Sequence, residues 1–169
     1  MSETALAREH LFQYIQGDII LDLGFGGTAC HPKALTFDMP VGYCPSLEGH
    51  KQILQGDCRN LSFICDGAID CLWSSHLIED FTFAEQEVIL REWRRVLKVG
   101  GTLITVAPDQ QVYAAHCAKT GQPYNEAHRE NSMGLSTFNE VVHRVGAWET
   151  LHQNPLIDTY SFHSVLKKI

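Results

Sequence analysis

The sequence predicts an α/β fold built on a mostly parallel sheet with an antiparallel edge strand. Three observations carry that expectation. Short apolar runs at 19–23, 35–37, 67–73 and 102–106 alternate with helical or loop-like segments, and strands separated by such crossovers pair in parallel. The first, second and fourth strands run into Gly24, Asp38 and Ser74 to His76, and Asp57 follows a shorter third one; open sheets of this sort bind ligands at such carboxyl ends, where strand order reverses. Two further runs, 148–151 and 161–166, are close enough in the chain to pair as an antiparallel edge. A chain of 169 residues suffices for one well-buried core and is short for two, so 1–169 reads as a single domain.

Each element has a local reason. Residues 4–16 read as a helix with Ala7, Leu11, Tyr14 and Ile15 on one face and Gly17 as its stop. The first strand is apolar throughout except for Asp22, and the third begins at Ile53 and Leu54. Thr82 and Glu85 form a capping box for a long helix whose buried face holds Ile89, Trp93, Val96 and Leu97. Lys98 and the Gly100-Gly101 pair are expected to close it. Pro108 and Asp109 stop the fifth strand; 110–132 is polar and aperiodic and reads as a long loop. Thr137 and Glu140 suggest a second capping box ahead of an apolar face of Phe138, Val141, Val142 and Val145, which Gly146 ends.

Composition narrows the function. Net charge is −7 and the one dense basic run, Arg91, Arg94, Arg95 and Lys98, falls on the predicted long helix, so a nucleic acid is an improbable partner. Six cysteines include no Cys-x-x-Cys pair and the nine histidines are scattered, so no metal site is expected. No apolar run approaches a membrane span, and the N-terminal residues lack the pattern of a secretory signal, so a cytoplasmic location without membrane attachment is expected.

Chemistry concentrates at the strand ends. Gly24 and Gly26 let backbone approach a ligand where a side chain would collide. Asp38 can accept both hydrogens of a ribose diol. Asp22, just before the first glycine, would repel a pyrophosphate but suits a cationic ligand group. His76 is a candidate general base, and His128, beside Arg129, a candidate for orienting substrate.

These segments resemble, in order and spacing, the motifs of class I S-adenosylmethionine-dependent methyltransferases. Ile19-Ile20-Leu21-Asp22-Leu23-Gly24-Phe25-Gly26 is similar to the family's first motif, and Asp38 to its ribose-binding acid. Gly56-Asp57-Cys58 resembles the segment that brackets the adenine, Ser74 to Asp80 the segment after the fourth strand, and Glu92 to Gly101 the helix and turn before the fifth. The resemblance covers 18–109 well and 136–169 in outline. It implies a Rossmann-like fold and S-adenosylmethionine held by Asp22, Gly24, Phe25, Gly26, Asp38, Met39, Asp57, Cys58 and Ser74. It also implies methyl transfer to an oxygen or nitrogen of a small or sugar-like acceptor, with His76 and His128 as the catalytic candidates.

The sequence departs from that family in two places. Only 28–36, containing Pro32, stands where the first helix is usual, and proline limits any helix there to about a turn. The stretch 40–51 carries Pro40, Gly42, Pro45 and Gly49 where a second helix is usual. One layer is therefore expected to be thin, leaving an apolar sheet face that a homodimer could cover. Short forms of the fold occur among bacterial methyltransferase-like proteins, some near genes for surface sugars. Two other readings remain: a non-catalytic or partner-dependent binding module of the same fold, and a dinucleotide-dependent oxidoreductase suggested by Gly24-Phe25-Gly26-Gly27-Thr28-Ala29. The oxidoreductase reading needs a helix that Pro32 largely removes.

Overall fold

The structure, a computed structural model, describes residues 3–40, 54–157 and 159–169. The expected loop at 40–51, apart from Pro40, and the expected strand start at Ile53 lie outside the described residues. The strands are β1 (Ile20–Leu23), β2 (Leu35–Asp38), β3 (Leu54–Gln55), β4 (Ile69–Ser75), β5 (Leu97–Pro108), β6 (Trp148–Asn154) and β7 (Ser161–Lys168). They form one sheet in the order β3-β2-β1-β4-β5-β7-β6. Strands β1 to β5 pair in parallel, while β7 runs antiparallel to both β5 and β6. The antiparallel strand thus lies one place in from the edge. Strand order reverses between β1 and β4, where both carboxyl ends open a crevice.

The helices are α1 (Glu3–Leu11), α2 (Phe83–Val96), α3 (Gln110–Thr120) and α4 (Leu135–Val145). On one face of the sheet, α2 and α4 bury Ile89, Trp93, Phe138 and Val141 against Leu21, Leu72, Leu103 and Phe162. On the other, α1 and the 3₁₀ turn Phe12–Tyr14 that continues it lie over the sheet, with Ala7, Leu11 and Ile15 buried against Ile20, Trp73, Ile104 and Val165. No helix fills 28–34, as Pro32 led us to expect. The central apolar side chains on this thinner face are nevertheless buried within one chain, Ile20 and Trp73 each at 1% exposure. The premise for a dimer, an uncovered apolar face, is therefore absent along these strands.

Three boundaries differ from expectation, each for a local reason. The capping box at Thr82 and Glu85 forms, but α2 ends at Val96. Leu97 turns extended and buries its side chain, so 97–101 becomes the start of β5. A bulge against β4, between the Ile69 and Cys71 pairings, absorbs the surplus residues. Helix α4 starts at Leu135: the backbone N–H of Gly134 donates to the Thr137 hydroxyl, so Thr137 lies inside the helix it was expected to cap. The expected loop at 110–132 opens with α3, capped by the Asp109 carboxylate, which accepts from the Gln111 and Val112 N–H groups. Gly121 ends that helix in the left-handed conformation. Its buried stripe is Gln110, Tyr113 and Cys117 rather than aliphatic residues, so its periodicity is faint in sequence. Among the described residues, no helix is long and apolar enough to cross a membrane.

Candidate functional site

The site begins with the turn after β1. The N–H groups of Gly24 and Phe25 both donate to the Phe37 carbonyl, at 3.0 and 3.3 Å, binding the turn to β2. Gly24 has φ +68°, and a Cβ there would lie 3.0 Å from the Leu77 side chain. Only glycine makes this turn at this distance. Two carboxylates, both on the β1 side of the crevice, hold the chain there. Asp22 accepts from the Cys30 N–H at 2.7 Å and so fastens the segment that replaces a helix. Asp38 accepts from the Gly26 N–H at 3.0 Å and from Met39 N–H at 2.7 Å. Burial pushes the Asp22 carboxyl up to about 7, so a positive ligand group beside it would favour its ionised form.

Three cavities adjoin at the carboxyl ends of the strands. The first, about 200 Å³, is mainly apolar, with Phe37, Met39, Leu77 and Phe81 in its wall beside Asp38 and Asp57. The second, about 290 Å³, is polar and is lined by Arg8, Asp22, Phe25, Gly26, Ser75 and His76 among others. The third, about 120 Å³, includes His76, Glu79, Asp80, Tyr113, His128 and Tyr160. Gly24 walls both the first and second, and His76 both the second and third.

The residues singled out in sequence fall on this row with one exception. Gly24, Asp38, Met39, Asp57 and Cys58 line the first cavity; Asp22, Gly24, Phe25 and Gly26 line the second. Ser74 is fully buried, its hydroxyl is without a hydrogen-bond partner, and it lines none of the three. Side chains alternate along a strand, so its neighbour Ser75 takes the place expected of it and bonds the Thr4 hydroxyl at 3.2 Å. Asp57 is clasped by Arg59, Nη2 to Oδ2 2.6 Å, and that hydrogen bond holds its carboxyl below the usual range. The Arg59 guanidinium sits 5.7 Å over the Phe81 ring at the cavity rim.

The two histidines differ in environment. His76 adopts φ +54°, a left-handed conformation that a non-glycine residue holds only when its surroundings enforce it. Its N–H bonds the Val106 carbonyl at 2.9 Å, and Nδ1 lies 3.5 Å from Glu79 Oε1. Burial lowers its pKa, but the Glu79 carboxylate outweighs that and raises it overall. His128 has both ring nitrogens engaged: Nδ1 lies 3.0 Å from Gln110 Oε1 and Nε2 3.1 Å from Asn125 Nδ2. Burial lowers its pKa. A neutral ring donating through Nδ1 and accepting at Nε2 satisfies both contacts. His128 is thus held as part of a wall, whereas His76 faces two cavities.

Sequence reasoning missed Arg8, Ser75, Glu79, Tyr113 and Tyr160. Arg8 donates to the Thr28 carbonyl, and its Nε is buried without a partner. Glu79 was within the quoted motif, yet only the fold shows that it is 2% exposed, with Oε2 unpartnered. Tyr113 and Tyr160 lie 47 residues apart in sequence, with ring centroids 4.9 Å apart.

Comparison with known proteins bears on the family and the fold. Residues 21–105, half of the chain, match a family model described as a methyltransferase domain. No curated protein matches the chain. Among solved structures, the PH0226 protein of Pyrococcus horikoshii superposes with TM-score 0.74 at 19% identity, covering 98% of this chain and 89% of that one. A SAM-dependent methyltransferase from Archaeoglobus fulgidus gives TM-score 0.72 at 14% identity, covering 99% and 95%. A chain from a Haloferax volcanii complex with the Trm112 methyltransferase activator gives 0.68 at 15%, covering 96% and 88%. At these identities the likeness is one of fold.

Proposed function

Because the chain belongs to the methyltransferase domain family, we propose that it transfers a methyl group from S-adenosylmethionine to an oxygen or nitrogen of a small or sugar-like acceptor. The row of three cavities with shared walls carries this reading. The first suits an adenosine: Phe37, Met39 and Phe81 offer apolar surface, and Asp38 stands where a ribose diol would need an acceptor. Asp57, already held by Arg59, shapes the rim. The second suits the amino-acid end, with Asp22 for the ammonium and Arg8, whose Nε is buried and unpartnered, for the carboxylate. When bound, the cofactor supplies an electrophilic methyl group on a sulfonium. The chain's part is to orient the acceptor, exclude water and accept a proton. The position of His76 at the wall between the second and third cavities supports it as the acceptor of the proton.

Calorimetric titration with S-adenosylmethionine and S-adenosylhomocysteine tests this. Micromolar binding of both supports it; the absence of both removes it. A second reading, a binding module that needs a partner for activity, is favoured by the helix-free wall at 28–34 and by the Haloferax neighbour's association with an activator. Cofactor binding with no transfer to any of a broad acceptor panel would select it.

A further inference from the structure

We propose that the third cavity is an ammonium site, so that the methyl acceptor is an amine; this rests on the reading above and narrows its acceptor to nitrogen. The cavity is about 120 Å³, enough for a headgroup and far below the volume of a pocket that encloses a whole drug-sized ligand. Its charged lining is two carboxylates, Glu79 and Asp80, with the imidazoles of His76 and His128. Glu79 is 2% exposed, and its Oε2 has no hydrogen-bond partner. A buried carboxylate with an unpaired oxygen beside a cavity is costly, and a cation entering that cavity offsets its charge.

The walls suit the same group. Tyr113 packs against both Tyr160 and His128, centroids 4.9 and 5.2 Å away, and Tyr160 meets the His76 ring edge-on at 6.3 Å. Aromatic walls around a carboxylate hold ammonium ions through ring quadrupole as well as charge. A third carboxylate, Glu3, stands behind Tyr160 and accepts from the N–H groups of Thr159 and Tyr160 at 2.7 and 2.9 Å. The guanidinium that acts on this group is Arg129, which bears on Asp80 and is not part of the lining. An anionic acceptor headgroup would face Glu79 and Asp80 at close range and be repelled.

Transfer to an amine also balances. The ammonium gives a proton to the His76 imidazole, the freed nitrogen lone pair forms the new carbon–nitrogen bond, and the methyl–sulfur bond breaks with its electron pair left on sulfur. The methylated amine carries the positive charge, and His76 returns its proton to solvent.

The test uses three probes of equal length, n-butylamine, n-butanol and butyrate, titrated into the full chain at neutral pH and followed by NMR. It is run with and without S-adenosylhomocysteine. We expect butylamine to bind about tenfold or more tighter than either other probe. We expect Glu79→Gln to weaken butylamine about tenfold and Asp80→Asn, nearer the rim, about threefold. Because Glu79 is buried, Asp80→Asn keeps the test available if Glu79→Gln fails to fold. Butyrate binding as tightly as butylamine would overturn the proposal, as would butylamine affinity indifferent to every folded variant. Failure of S-adenosylhomocysteine to bind would sink the methyltransferase reading, while the probe ranking without it would still decide the nature of the cavity.

Discussion

The two faces of the sheet divide the work unequally. One is covered by α2 and α4, which bury a broad apolar surface and contribute no lining residue to any of the three cavities. The other is covered by α1 and its short 3₁₀ continuation, and α1 also carries Thr4 and Arg8 into the second cavity. On the thick face, the helices only pack, but the core they cover includes Phe37, Cys58, Leu77 and Phe81, which wall the first cavity. On the thin face, the same short helix stabilises the fold and furnishes the site. Losses on the thin side should therefore act on binding directly at the second cavity, and losses on the thick side only through the walls of the first.

Four experiments probe that contrast. Trp93 is fully buried, and its indole N–H donates to the Cys58 carbonyl at 3.0 Å. Trp93→Ala should cost about 3–5 kcal/mol of stability by chemical denaturation, and should weaken cofactor binding of the remaining folded protein by freeing the Cys58 backbone at the wall of the first cavity. Leu11→Ala, on α1, should cost about 2–4 kcal/mol and also weaken S-adenosylhomocysteine binding. If calorimetry finds binding unchanged, α1 does not couple the two. Asp38→Ala should loosen the Gly26 turn that its carboxylate holds and reduce cofactor affinity by about 1–3 kcal/mol, as for a lost charged hydrogen-bond partner. Unchanged affinity would mean the strand end is misassigned.

The smallest effect concerns pH. His163, 2% exposed on the thin face beside His152, has neither ring nitrogen hydrogen-bonded. Burial, then the neighbouring His152 and His10, push its pKa down to about 4 from 6.5. The folded state keeps this ring neutral while the unfolded chain protonates it. The unfolded state therefore binds more protons between those values, and stability falls as pH drops through that window. The loss should be about 1–3 kcal/mol, and denaturation curves of His163→Gln should show a shallower decline. An unaltered slope would assign the acid sensitivity to other groups.

The sequence was most legible where local chemistry and tertiary role coincide. The Thr82 capping box and the missing helix near Pro32 were readable because each acts through neighbours a few residues away, and the strand-end glycines and acids because they directly follow or close apolar runs. Helix α3 was not, because its buried stripe holds no aliphatic side chain and its cap, Asp109, looked like the end of a strand. Ser74 and Ser75 show the same limit: adjacent and chemically alike, they differ only in which side of the sheet they face, which is a matter of pleat and register.

By itself, then, the sequence determined the class of fold, the succession of its strands, and the turn and acids at the ends of β1 and β2. Backbone freedom, capping and apolar periodicity are properties of short segments. Only the tertiary structure decided the walls of the second and third cavities. Arg8 comes from the N-terminal helix, Glu79 from the turn after β4, Tyr113 from α3 and Tyr160 from the approach to β7. No local rule links positions so far apart. They meet because the sheet order brings β1, β4, β5 and β7 side by side, with the turn after β1, the turn after β4, α3 and the approach to β7 gathered at one edge of the sheet.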